Sequence, residues 1–168
     1  MRSLAFASRW AVACSLVFGS ATMFAAAPHP IRWSIKATTD SLPLKKGQKV
    51  RATISATIAP GWHLYAFEQQ TGGPLPTSIS LAEGQPFAAD GPASESTPKM
   101  EYDSNFNLPT NIFEGHTAFK LPAKALHAIP GGSARLMVDV AFQTCNDRMC
   151  LPLTVQHLSA PIERGEIP

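Results

Sequence analysis

Two cysteines separated by four residues, in Phe142-Gln143-Thr144-Cys145-Asn146-Asp147-Arg148-Met149-Cys150-Leu151-Pro152-Leu153, limit this chain more tightly than any other stretch. Upstream, residues 134–144 alternate as a strand does, with Leu136, Val138, Val140 and Phe142 on one face. Downstream, Leu151, Leu153 and Val155 alternate in the same way. Asn146-Asp147 between them is a turn signal, because both side chains bond their own backbone and tolerate unusual dihedrals. The pattern predicts a β-hairpin whose strands are pinned at an exposed tip by the cysteine pair. Directly opposed residues of an antiparallel ladder lie about 4.5–5.5 Å apart at Cα, within the usual disulfide span of about 4.4–6.8 Å. The pair can therefore close without moving the backbone. What matters for function is whether that bond is a staple or a reagent.

The compartment follows from the leader. Residues 1–27 read as a secretory signal: Arg2 and Arg9 make the positive start, residues 10–27 are apolar or small, and Ala25-Ala26-Ala27 offers a cleavage site. Cleavage there discards Cys14 and leaves 141 residues with two cysteines, an even count that suits a disulfide in an exported protein. The full chain carries 14 basic and 12 acidic residues, and the leader takes two arginines and no acid, so the mature charge is zero. A nucleic-acid surface would need a basic excess. The mature part, residues 28–168, is long enough for one domain with a real core, and it holds no further apolar run that would span a membrane.

Along that part, residues 31–38 alternate around Ile31, Trp33 and Ile35, and residues 49–58 around Val50, Ala52, Ile54, Ala56 and Ile58. Residues 41–48 form a turn, and Ala59-Pro60-Gly61 breaks the second strand. Residues 62–67 make a short aromatic strand, residues 77–81 another, and residues 112–121 a further one. Pro130-Gly131-Gly132 turns into the cysteine hairpin. Between residues 83 and 110, Pro86, Pro92, Pro98 and Pro109 argue against a long helix or a central strand and predict an irregular stretch. A long irregular stretch in a compact domain is more often functional than idle. About seven short strands with Pro/Gly punctuation and no crossover helices predict an all-β fold. We expect an immunoglobulin-like antiparallel β-sandwich, a single domain after the signal peptide.

The cysteines allow two readings. As a staple, a loop this short contributes little, about 2 kcal/mol on the entropic account. As a redox-active pair it is well placed to exchange with a partner. Zinc would need two further ligands, and His29, His63, His116, His127 and His157 stand singly, without ligand spacing. There is no Gly-x-Ser-x-Gly, no His-Glu-x-x-His and no phosphate-binding glycine loop.

Val140-Ala141-Phe142-Gln143-Thr144-Cys145, a four-residue polar loop, and Cys150-Leu151-Pro152 together resemble the cysteine hairpin of the N-terminal periplasmic domain of the thiol:disulfide interchange protein DsbD. Gly61-Trp62-His63-Leu64-Tyr65 resembles that family's aromatic segment. Ile112-Phe113-Glu114-Gly115 followed by Phe119-Lys120-Leu121-Pro122 resembles its central strand. The similarity spans residues 31–162. It implies an immunoglobulin-like sandwich whose pair shuttles electrons between thioredoxin-like proteins, a separate donor and periplasmic acceptors. Cytochrome c maturation is among the pathways such proteins serve. The catalytic residues would be Cys150, which makes the mixed disulfide, and Cys145, which resolves it. A cap loop over the cysteines would match residues 100–108, with Glu101, Tyr102, Asp103 and Phe106 as neighbours, Phe106 as the covering ring, and Trp62 and Tyr65 nearby. Here the loop between the cysteines is one residue shorter than in the best-known members, and Leu153 stands where a second proline is common. No metal, nucleotide or organic cofactor is implied. The expected function is thiol:disulfide exchange in the periplasm. The alternatives are a non-catalytic immunoglobulin-like binding module with a structural disulfide, or a chaperone using the aromatic loop.

Overall fold

Strict alternation along β2 (Lys49–Ile58) puts Val50, Ala52, Ile54, Ala56 and Ile58 on one buried face. That face decides the register of both neighbours. β1 (Ile31–Thr39) pairs with it antiparallel from Ile31 opposite Ile58 to Thr38 opposite Arg51, and β9 (His116–Ala125) from Thr57 opposite His116 to Lys49 opposite Lys124. A slip of one residue would turn Ile54 and Phe119 to solvent. The structure, a computed structural model, describes residues 29–130 and 134–165. The expected signal peptide, Cys14 and the Gly131-Gly132 turn lie outside the described residues.

Nine further strands complete an all-β molecule, with no helix among the described residues. They are β3 (His63–Tyr65), β4 (Ser78–Leu81), β5 (Phe87–Ala89), β6 (Ser94–Glu95), β7 (Lys99–Asp103), β8 (Leu108–Phe113), β10 (Arg135–Phe142), β11 (Thr144–Cys145) and β12 (Thr154–Arg164). The larger sheet runs β4-β10-β12-β1-β2-β9-β5, with β6 also on β9. It bends into an immunoglobulin-like sandwich at the seam between β12 and β1, which are parallel there, with Ala37 opposite Ile162 and Thr39 opposite Arg164. Between the layers one cluster holds Ile54 of β2, Phe119 and Leu121 of β9, Leu136, Val138 and Val140 of β10, and Ile162 of β12. Trp33 bridges the layers, 6.0 Å from Phe119 and 5.2 Å from Phe142 between ring centres.

A second, four-stranded sheet, β11-β3-β8-β7, stands beside the sandwich. The expectation of an irregular stretch between residues 83 and 110 is overturned, because β5 and β6 of the larger sheet and β7 and the start of β8 in this one all lie there. Prolines are tolerated because these are edges. β3 covers β8 only at Ile112 and Phe113, so Pro109, opposite Tyr102 of β7, has one open side. The strand expected over residues 112–121 is two strands in different sheets, broken at Gly115, whose φ of 65° lies in the left-handed region that favours glycine.

Two expectations at the cysteine hairpin also change. The strand over residues 134–144 ends at Phe142, passes through Gln143 and continues as β11 in the other sheet. Downstream, β12 begins at Thr154, and its buried residues Ala160 and Ile162 carry even numbers. Leu153 and Val155 are each half exposed, so the odd-numbered apolar positions point outward.

Candidate functional site

The small sheet exists to hold β11. Thr144 lies opposite Leu64 and Cys145 opposite His63, and Thr144 Oγ1 donates to the His63 carbonyl at 2.6 Å. Beyond Cys145 the chain folds back in a tight loop. The Asn146 N–H donates to the Met149 carbonyl, Asn146 Oδ1 accepts from the N–H groups of Arg148 and Met149, and the Leu151 N–H donates to the Thr144 carbonyl. The turn expected from Asn146 is thus an Asx turn. It sets Cys150 opposite Cys145, and the two are bonded with their Cα atoms 4.1 Å apart. This is slightly closer than the spacing expected for a ladder.

The two sulfurs are not equivalent. Cys145 is fully buried, and Cys150 is half-buried. The pair is therefore not laid open at an exposed tip, as expected from sequence, because Cys145 sits in a cluster of its own with Tyr65 and Ile112. Phe106 and Cys150 pack against that cluster from outside. Phe106 meets Tyr65 edge-on, 6.1 Å between ring centres. It comes from the β7–β8 connection, residues 104–107, which closes as a turn through the Phe106 N–H to the Asp103 carbonyl and a left-handed Asn107 (φ 55°).

Beneath this cap runs a polar chain whose ends lie far apart in the sequence. Opposed residues and residues two apart share a sheet face, so His63 and Tyr65 lie on the face of Cys145. Tyr65 Oη donates to Asp103 Oδ2 at 2.6 Å. Its one hydrogen being committed there, the phenol oxygen accepts from His63 Nε2 at 3.0 Å, which fixes the imidazole tautomer. Asp103 Oδ2 also lies 3.5 Å from His63 Nε2, and Asp103 Oδ1 accepts from the Asn105 N–H at 2.8 Å. Burial alone would raise the Asp103 carboxyl. The hydrogen bonds from Tyr65 and Asn105, with the nearby His63, outweigh burial and hold it below the usual carboxylate range. The same contacts act on Tyr65 in the other direction: burial first, then the hydrogen bond and charge of Asp103, push its phenol far above the ordinary value.

The remaining residues expected at the site divide. Glu101 forms an ion pair with Lys99 and, with His63, Asp103, Glu114 and Asp147, lines a hollow of about 170 Å³ beside the cap. Tyr102, 67% exposed, lines the same hollow. Trp62 packs on the main core and lines a shallow surface with Asn146, Asp147 and Arg148, so it borders the cysteine loop from the far side. His63 and Asn105 are the site neighbours missed in the sequence. A lone histidine in an aromatic strand looks ordinary until its register against Cys145 is known.

No curated protein matches the sequence. Among solved structures, the N-terminal periplasmic domain of ScsB from Proteus mirabilis superposes with a TM-score of 0.55 at 17% identity, over 79% of this chain and 46% of that one. The chain thus spans less than half of that relative's length. The N-terminal domain of DsbD from Neisseria meningitidis, in its reduced form, gives a TM-score of 0.47 at 12% identity, over 76% of this chain and 83% of that one. The family model described as thiol:disulfide interchange protein DsbD, N-terminal, matches residues 35–160, three quarters of the sequence. By that match the chain belongs to the family of DsbD N-terminal domains.

Proposed function

We propose that this is a periplasmic thiol:disulfide exchange domain that passes electrons through Cys145 and Cys150 to or from thioredoxin-like proteins. The observation that carries the reading is the asymmetry of the pair, with Cys150 half-buried at the edge of a small cluster and Cys145 sealed within it. A staple needs no such division, whereas an exchange reaction does. A partner thiolate attacks Cys150 Sγ, the new bond forms as the Cys145–Cys150 bond breaks, and the electron pair leaves on Cys145 Sγ, which takes up a proton. The partner's second thiolate then attacks its own sulfur in the mixed disulfide. Cys150 leaves with the second electron pair and is protonated, so two electrons and two protons have moved. Run backwards, the same steps reduce a partner's disulfide, with Cys150 as nucleophile and Cys145 as the resolving thiol.

The test is the reduction potential of the purified mature protein, measured by equilibration with glutathione or dithiothreitol buffers. A value between about −200 and −270 mV, in the range of exchange proteins, supports the reading. A value well below about −300 mV makes the bond a loop staple and overturns it. Given the first result, a Cys145→Ala variant should retain partners as mixed disulfides on Cys150, while Cys150→Ala should retain none.

A further inference from the structure

Phe106 and Cys150 pack against the same small cluster around Cys145, and Phe106 follows directly on Asn105, a residue with an unusual set of bonds. The Asn105 side-chain amide Nδ2 donates to Asp103 Oδ1 at 3.1 Å, inside the cap. The same nitrogen donates to the main-chain carbonyl of Asn146 at 3.0 Å, inside the loop that the disulfide closes. That carbonyl is a fixed target, because the Asx turn holds the Asn146 backbone through Arg148 and Met149. The Asn105 N–H is held as well, by Asp103 Oδ1 at 2.8 Å. One exposed side chain thus ties the turn that carries Phe106 to the residue next to Cys145.

We propose that Asn105 is a positioning residue, a latch that keeps Phe106 seated over the disulfide and so sets how often a thiol reaches Cys150. The proposal rests on the exchange reading for its biological use, though the latch itself is a matter of access. Asn105 touches neither sulfur in this role and acts through Phe106. A solvent-exposed hydrogen bond exchanges readily with water, so its loss should raise the open fraction by about three- to tenfold rather than abolish the cap.

The experiment is the rate at which dithiothreitol reduces the oxidised mature protein. This small dithiol needs no docking surface: it supplies two electrons and two protons and leaves as a cyclic disulfide, while Cys145 and Cys150 become thiols. Rates are measured for wild type, Asn105→Ala, Asn105→Gln, Phe106→Ala and the double variant Asn105→Ala/Phe106→Ala, after thermal melting has shown each to be folded. We expect Asn105→Ala to react about three- to tenfold faster than wild type, Phe106→Ala at least as fast, and Asn105→Gln, which keeps the amide, to lie nearer wild type. In the Phe106→Ala background, Asn105→Ala should add nothing, since the two changes act through one step. Equal acceleration in both backgrounds would mean that Asn105 merely stiffens the cysteine loop, and an unchanged rate in Asn105→Ala would mean there is no latch. Either result overturns the proposal. Should Phe106→Ala fail to fold, Phe106→Leu takes its place in the cycle. The latch is read from the ratio of each variant's rate to the wild-type rate and the functional reading from the wild-type potential, so the two failures are distinguishable.

Discussion

Tyr65 gives its single hydrogen to Asp103 and takes one from His63, and both partners would be left short by its removal. Tyr65→Phe should cost about 1.5–3 kcal/mol in denaturant unfolding at neutral pH, the range for hydrogen bonds to charged groups. The pH dependence follows from the direction of the Asp103 shift. Its folded pKa is depressed, so the native state binds its proton less readily than the unfolded chain, and the resulting stability is present above the ordinary carboxylate range. It is lost as pH falls through the lower, folded value. The deficit of Tyr65→Phe should therefore narrow in acid, as measured by unfolding at a series of pH values. Glu95 has the opposite sign. Burial raises its carboxyl, the Phe67 N–H at 2.9 Å offsets part of that, and Glu68 adds to it. A raised folded pKa gives stability that is present below the unfolded value and is lost as pH rises through the folded one. Glu95→Gln keeps an acceptor for the Phe67 amide, so it should melt above wild type at neutral pH. Near about pH 3, where Glu95 is protonated too, the two should melt together.

The break between β8 and β9 rests on Gly115, whose φ of 65° suits glycine and strains any other L residue even though nothing crowds the position. Gly115→Ala should cost about 1–2 kcal/mol in denaturant unfolding, with no change in the core. The sequence showed the glycine but not its consequence, since Ile112-Phe113 and Phe119-Leu121 read as the two ends of one strand. β2 was legible to the residue, because one buried face and one solvated face produce strict alternation. The cysteine hairpin was legible from its turn residues, and so was the sandwich, from the count of short strands. β7 and β8 were hidden by Pro98, Pro109 and a polar composition that edge strands can carry. The inward face of β12 was assigned to the wrong phase because Leu153 and Val155 are apolar yet turned to solvent. At the site, Cys145, Cys150, Tyr65, Asp103 and Phe106 could be named from the chain alone, the last three through family resemblance. His63 and Asn105 could not, because their importance comes from pairing and hydrogen bonding across 82 and 41 residues of sequence.

The molecule keeps its disulfide apart from its main support. The large core between the layers does not include either cysteine, and the small cluster around Cys145 belongs to the second sheet. The disulfide also closes a short loop, with a sequence separation of five. Reduction should therefore lower unfolding stability by about 2 kcal/mol on the entropic account and leave a single cooperative transition, testable by melting with and without reductant. The seam that bends the large sheet makes a different demand. Ala37 and Ile162 must meet across about 125 residues before the sandwich can close, and contacts so distant in sequence slow folding. The cysteine loop closes over a few residues and needs none of that chain to be in place. Oxidation and folding thus run on separate clocks: a newly delivered polypeptide can acquire its disulfide long before its first and last strands find each other.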